Sequence, residues 1–378
     1  MKVFIAVGVH PRYKRFIDYL PEGFEYEISG NPDVNKYYSP ARTGASLKRF
    51  FSLRFVSVMV TKLLCLPRIT YYRTGADIIY STRGVLPLNR KPWVVEVEHP
   101  YGFVGMEYKL WKPIQKAITS HFLKSKYCRR IVVVTDSAKK SMEREFKDSE
   151  IRKKISVVYT TVEYQKIKKK RHSGVTILMI ANNGIYERGL KLIQNIYPEL
   201  KRKYKVNWII KTNDSLLKED IDFMKDYNVH IIKGNFNENQ LKDLFAMSDI
   251  FVNLSFVDTN SNILYEAMRA GLPIIASDLP PLRDKIRDGY NGFIIPLPSL
   301  FWDKKKMIRV ETNTDFKTYN PKGISSFLMN RMDRLLKSGK LRYKMGKRNE
   351  ELIRSGKFSM KRRMSLIKKI ISESTTNL

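Results

Sequence analysis

The sequence predicts an α/β fold built as two Rossmann-like domains. Three observations carry that prediction. Residues 250–254 form an apolar run that reads as a buried strand; a polar loop, a helical stretch over 261–269 and a second apolar run over 274–276 follow it. Gly271 ends the helix and Pro273 prevents its continuation, so the segment is a βαβ unit with a loop at the carboxyl end of a strand, where open α/β sheets bind ligands. Residues 2–9 open the chain with another apolar strand, as in a Rossmann-like domain. Finally, 378 residues suffice for two sizeable cores. Residues 163–174 are polar and lysine-rich with no hydrophobic period, and read as a linker. The expected division is 1–165, joined by a final helix over 358–374, and 174–357.

In order, the first half reads as strands over 2–9, 24–28, 76–81, 93–97, 130–135 and 155–159. Residues 45–66 have helical period, with Leu47, Phe50, Phe51, Phe55, Val58, Met59 and Leu63 on one face and Lys48, Arg49, Arg54 and Lys62 beside it. Such a basic amphipathic helix suits an anionic membrane surface and suits equally a place on the sheet. A second basic helix is expected over 107–126, and Asp136-Ser137 reads as a helix cap. The second half reads as strands over 176–180, 206–211, 228–232 and 290–295, with helices over 240–247, 323–337, 341–354 and from 358 to about 371. Residues 296–321 form a long mixed insertion with Phe301, Trp302 and four lysines. The acids of Asp220-Ile221-Asp222 fall in a helical stretch and are expected at the surface.

The chemistry concentrates around the βαβ loop. A helix start has free N–H groups and partial positive charge, which suit a phosphate. Thr259, Asn260, Ser261, Asn262 and Ile263 lie there, small or leaving the backbone open. Asp258 and Glu266, eight residues apart, bracket them. An acceptor pair so spaced can hold sugar hydroxyls on either side of a bound diphosphate. Spacing alone also allows a capping Asp258 and an ordinary surface Glu266.

The string Ser-x-x-Asp-x7-Glu-Ala-Met-x-x-Gly-x-Pro-Ile-Ile-Ala-Ser-Asp from Ser255, followed by Asp288-Gly-Tyr-Asn-Gly-Phe293, resembles the donor-binding signature of family 4 glycosyltransferases. Likeness covers most of the chain and is strongest over 128–295. It implies the GT-B fold: two Rossmann-like domains facing across a cleft, with the last helix crossing back to the first. It implies a retaining hexosyl transfer from a UDP- or GDP-linked sugar, with no cofactor and no required metal. The family usually has Glu where Asp258 stands, and this position would contact the donor sugar. Glu266 would hold the ribose. In Ala181-Asn-Asn-Gly-Ile-Tyr-Glu-Arg-Gly189, Arg188 takes a lysine position and Asn182 an arginine position, of the pair that clamps the diphosphate. Lys211, ending the strand from Val206, is a second cation whose place the sequence leaves open. Gly234, Asn235 and Phe236 stand where the family binds the base. His99, just past the strand over 93–97, resembles the histidine that faces the donor sugar; a capping or core-edge histidine is the other reading. Many relatives carry a Gly-Gly loop after the first strand, whereas this chain has Gly8-Val9-His10-Pro11-Arg12.

The formal net charge is +33. It implies an acidic partner or a solvated lysine-rich surface. No Asp or Glu occurs between Asp33 and Asp77, or between Glu107 and Asp136. With a basic first domain, the expected acceptor is a lipid-linked or membrane-proximal glycan, reached from the cytoplasmic face by a peripheral protein. No apolar run reaches the roughly 18 residues that span a bilayer. The amino terminus reads as a strand rather than a signal peptide, and Cys65 and Cys128 fit a reducing compartment. The competing reading is a degenerate scaffold binding nucleic acid or anionic surfaces; nucleic acid is not the expected partner of an active enzyme.

Overall fold

The computed structural model describes residues 1–7, 16–29, 66–105, 110–297, 302–303, 306–307, 316 and 323–375. The helix expected over 45–66 (its last residue apart), the loop Gly8 to Arg12 and most of the 296–321 insertion lie outside the described residues. One compact unit takes Met1–Thr160, Lys305–Arg309 and Lys361–Leu378; the other takes Thr161–Lys304 and Val310–Met360.

The first unit is built on six strands: β1 Lys2–Ala6, β2 Glu25–Ser29, β3 Ile78–Ser81, β4 Trp93–Val97, β5 Cys128–Val133 and β6 Ile155–Val157. Their order is β2-β1-β3-β4-β5-β6, every pairing parallel. Strands buried on both faces must be apolar throughout, as β3 and β4 nearly are. Glu96 breaks the rule in the middle of β4, 1% exposed. It accepts hydrogen bonds from Tyr80 Oη and Arg363 Nη2, each at 2.9 Å. Arg363 lies on the last helix, Met360–Thr375, and its Nη1 also donates to the carbonyls of Val158 at 3.1 Å and Tyr159 at 2.7 Å. Ile367, Ile370 and Ile371 of this helix pack with Val3, Ile5, Ile78 and Val94. The final helix therefore belongs to the first unit, as expected.

The second unit holds β7 Val175–Ala181, β8 Val206–Thr212, β9 His230–Ile232, β10 Ile250–Asn253, β11 Ile274–Ser277 and β12 Gly292–Ile295, in the order β9-β8-β7-β10-β11-β12. All pairings are parallel. Counted from β7, this is the 3-2-1-4-5-6 order of a dinucleotide-binding fold, with its topological switch between β7 and β10. The helix Gly339–Arg354 crosses the helix Ile263–Arg269 through two glycines. A Cβ on Gly346 would stand 1.9 Å from the Gly271 carbonyl oxygen and cannot fit without movement, while Gly271, with φ 65°, has room for a Cβ but a backbone that strains any other residue. Among the described residues, no helix is long and apolar enough to cross a membrane.

Two expectations are corrected. Asp222 is exposed, but Asp220 is 1% exposed on the helix Lys218–Asp226. It accepts from Gln194 Nε2 at 2.9 Å and Tyr186 Oη at 2.6 Å and pairs with Lys191, so it is an internal tie of the unit and not a surface acid. The helix expected from Ser261 starts at Ile263. The Asp258 carboxylate takes the N–H groups of Asn260 and Ser261, and Ser261 has φ 50°, a conformation no helix contains.

Replacing Arg363 by Ala would strand Glu96 as an uncompensated buried charge. The variant is expected to lose about 3–5 kcal/mol of stability, read as an earlier loss of helical signal in denaturant titrations.

Candidate active site

The loops that follow β7, β8, β9 and β10 all leave the carboxyl ends of neighbouring strands, so the candidate residues of the second unit converge there. Between β7 and β10 the loops are laced together. The Phe256 N–H donates to the Glu187 carbonyl at 2.9 Å. Gly189, with φ 89°, lets the chain pass Leu254 where a Cβ would meet that residue's Cβ at 2.6 Å. This close passage brings Arg188 against the second loop. Arg188 Nη1 donates to Ser255 Oγ at 2.8 Å and forms an ion pair with Asp258.

Asp258 is 7% exposed. Its Oδ2 takes Arg188, and its Oδ1 takes the N–H groups of Asn260 at 3.1 Å and Ser261 at 2.8 Å. Burial pushes its carboxyl up, but the charges of Arg188 and Lys285 and the hydrogen bonds outweigh burial and hold it below the usual carboxylate range. Asp258 thus does shape the loop, the capping role that spacing allowed. Asn253 supports the same turn, donating to Ser261 Oγ at 2.6 Å and accepting from Ser255. Thr259 is half-buried, and Asn260 Nδ2 donates to Asn262 Oδ1 at 2.9 Å; Asn262 and Ile263 are half-buried at the start of the short helix.

Glu266 is 3% exposed, which removes the reading of an ordinary surface glutamate. Arg269, three residues on and 2% exposed, holds Glu266 Oε2 at 2.7 Å and reaches Glu238 Oε1 and the Glu163 carbonyl, both at 3.4 Å. A side chain so polar at that depth needs such a partner. Arg269 went unremarked in the sequence, though the spacing of Glu266 and Arg269 on one helix face was a usable signal.

Lys285 was also unremarked, and no sequence signal marks it. It is 4% exposed beneath the loop. Its ammonium donates to the Asn260 carbonyl and to the Pro281 carbonyl, and lies 5.2 Å from the Tyr265 ring centre. Burial lowers its pKa from 10.5 to about 8, only partly opposed by Asp258.

A second group forms at the ends of β7, β8 and β9. Lys211 is 2% exposed. Its ammonium donates to Asn182 Oδ1 and, at 3.4 Å, to Asn213 Oδ1, and lies 5.6 Å from the Phe236 ring centre. Asn213 takes the Gly234 N–H at 3.0 Å and donates to Asn235 Oδ1 at 3.2 Å. So Asn182, Gly234, Asn235 and Phe236 are brought together around Lys211, which now has a place.

His99 lies in the first unit, 0% exposed. Its Nδ1 accepts the Tyr101 N–H at 3.1 Å and caps the short helix Pro100–Val104. Burial lowers its pKa to about 3, so the imidazole is neutral. With Nδ1 accepting, Nε2 carries the hydrogen.

The depressed pKa of Lys285 makes a signed prediction. Between about pH 8 and 10.5 the unfolded chain holds a proton on this lysine that the native state releases, so native stability rises with pH across that window. Lys285→Met is expected to lose roughly 1–3 kcal/mol of that rise, as the difference between denaturant titrations at pH 7.5 and 10.5.

Comparison with known proteins adds a family to this geometry. Residues 162–320 match the family described as glycosyl transferases group 1. Over 111 residues the chain is 25% identical to the sulfoquinovosyl transferase SQD2 of Arabidopsis thaliana; this stretch is 29% of the chain and 21% of that protein's length. A glycosyltransferase from Rickettsia africae superposes with TM-score 0.64 at 12% identity, covering 100% of this chain and 99% of the other. Anabaena HepE in complex with UDP-glucose gives 0.62 at 10% identity, covering 98% and 99%. At these identities the likeness establishes the fold, which is GT-B. The stretch that resembles this family, residues 162–320, falls almost entirely within the second unit.

Proposed function

We propose that the chain is a retaining glycosyltransferase of the family 4 type that moves a hexose from a UDP- or GDP-linked sugar to an acceptor. The observation that carries this reading is the buried, Arg269-held Glu266 in the first turn of the helix that follows the Arg188–Asp258 pair, at the switch point of a domain similar to glycosyl transferases group 1. HepE, a protein of this fold, was solved with UDP-glucose, which supports a nucleotide-sugar donor.

In this reading Glu266 accepts the ribose hydroxyls. Gly234, Asn235 and Phe236 receive the base. Arg188 and the backbone N–H groups around Asn260, Ser261, Asn262 and Ile263, with Thr259 beside them, take the charge that grows on the departing diphosphate; Asn182 lines the same loop. Stabilising that charge in a preorganised site and positioning the reactants supply the catalysis. Arg188 meets the diphosphate by sharing or leaving Asp258, which then turns to the donor sugar. No protein nucleophile is assigned: attack comes from the leaving-group face. His99, neutral and with Nε2–H, would donate to a sugar oxygen and would not remove a proton. The proposed reaction needs no metal. The acceptor we favour is a lipid-linked or membrane-proximal glycan, approached from the cytoplasmic side; the +33 charge supports an anionic surface near it. That same charge favours the competing reading of a degenerate scaffold bound to nucleic acid or anionic lipid.

A thermal-shift panel of UDP- and GDP-sugars tests the proposal, because a ligand of the folded state raises the melting temperature by mass action. One donor is expected to raise it, and Glu266→Gln to weaken that donor about tenfold or more. No shift with any donor, together with tight, salt-sensitive binding to DNA or acidic vesicles, would favour the scaffold. Product NMR then reports whether the anomeric configuration is kept.

A further inference from the structure

Buried cations normally stand beside buried anions. In the second unit Arg188 has Asp258, Arg269 has Glu266 and Lys191 has Asp220. Lys211 is the departure. It is more deeply buried than Arg188 or Lys191, and among the described residues its hydrogen-bond partners are two neutral side-chain amides, Asn182 and Asn213, whereas buried Lys285, held by carbonyls, has the charge of Asp258 acting on it. Burial lowers its pKa, and no carboxylate opposes the shift. A desolvated ammonium held only by amide oxygens is electrostatically incomplete.

Its position says what would complete it. β8 pairs with β7 so that Lys211 lies opposite Ile180, and Thr212 opposite Ala181, at the carboxyl ends of both strands. The residues above the ammonium, Asn182, Asn213, Gly234 and Asn235, are exposed, so the cation sits just beneath an open polar rim. Asn182 begins the loop that ends in Arg188. A neutral carbonyl of a base would give Lys211 no more than the amide oxygens it already has. A phosphate oxygen would add an opposite charge and turn these charge–dipole contacts into an ion pair.

We infer that Lys211 is a phosphate ligand for the donor's nucleoside diphosphate, supplying from β8 a cation where the loop after β7 carries only Asn182. This rests on the donor reading above. Arg188 is then not the sole cation for the diphosphate, and its Asp258 partner need not be given up fully on binding. Asn182 and Asn213 act as the ammonium's positioning residues.

Isothermal titration of UDP, GDP, uridine and guanosine against wild type, Lys211→Met, Lys211→Arg and Asn182→Asp tests the inference. Unliganded melting curves check each fold. Lys211→Met is expected to weaken the diphosphate that binds by about tenfold to a hundredfold and leave its nucleoside unchanged, with Lys211→Arg recovering most of the loss. Asn182→Asp, at an exposed position, hands Lys211 a carboxylate and should likewise weaken the diphosphate alone. Equal losses for nucleoside and diphosphate would make Lys211 a base contact and overturn the inference. Unchanged diphosphate binding in both Lys211→Met and Asn182→Asp would overturn it while leaving the donor reading intact. A wild type that binds neither UDP nor GDP overturns both.

Discussion

The site of the second unit depends on one ion pair, Arg188 with Asp258, formed across the topological switch between β7 and β10. Parallel strands deliver their following loops to the same sheet end, and a switch point leaves two of those loops with no helix packed between them. Here the gap is closed by side chains. Arg188 reaches over, Asp258 receives it with one oxygen and arranges its own turn with the other, and Ser255 and Asn253 secure the flanks. The Gly189 passage beside Leu254 is what makes the reach short enough. A side chain there would push the loops apart and dissolve the pair.

Around this pair the unit collects more positive charge than its own carboxylates balance. Lys285 lies under the turn, held by carbonyls and partly relieved by Asp258. Lys211 stands two strands away with amides only. Desolvating Lys285 and Lys211 with one loop carboxylate nearby costs stability. The first unit handles its buried charge in the opposite way. Glu96 takes Arg363 and the Tyr80 hydroxyl on one oxygen, Arg363 also donates to two carbonyls, and the pair fastens the last helix to the sheet. One buried pair is structural, while Lys211 at the second unit's strand ends lies buried beneath an exposed polar rim with only amide partners among the described residues.

Much of this was legible in the chain. Strands such as 93–97 and 250–254 could be read because a strand buried on both faces must be apolar along its whole length. The helix after Asp258 could be read from Gly271 and Pro273, and the site from the spacing of Asp258, Glu266, Gly271 and Pro273. Strand ends were less legible: the strand over 2–9 stops at Ala6, and the one over 228–232 starts at His230. Pairing with a neighbour, rather than local hydrophobicity, sets where a strand ends.

The sequence by itself determined the fold class, the succession of elements and the stretch where chemistry gathers, because periodicity and turn residues act over a few neighbours. Only the tertiary structure decided which charges meet. Asp220 is internal, Glu266 is held by Arg269, Lys285 lies under a loop 25 residues away, and Lys211 shares an amide with Asn182 across a β7–β8 ladder. Such partnerships follow from strand order and register, which place residues far apart in the chain side by side, and electrostatic energy depends on that distance and on burial rather than on separation along the chain.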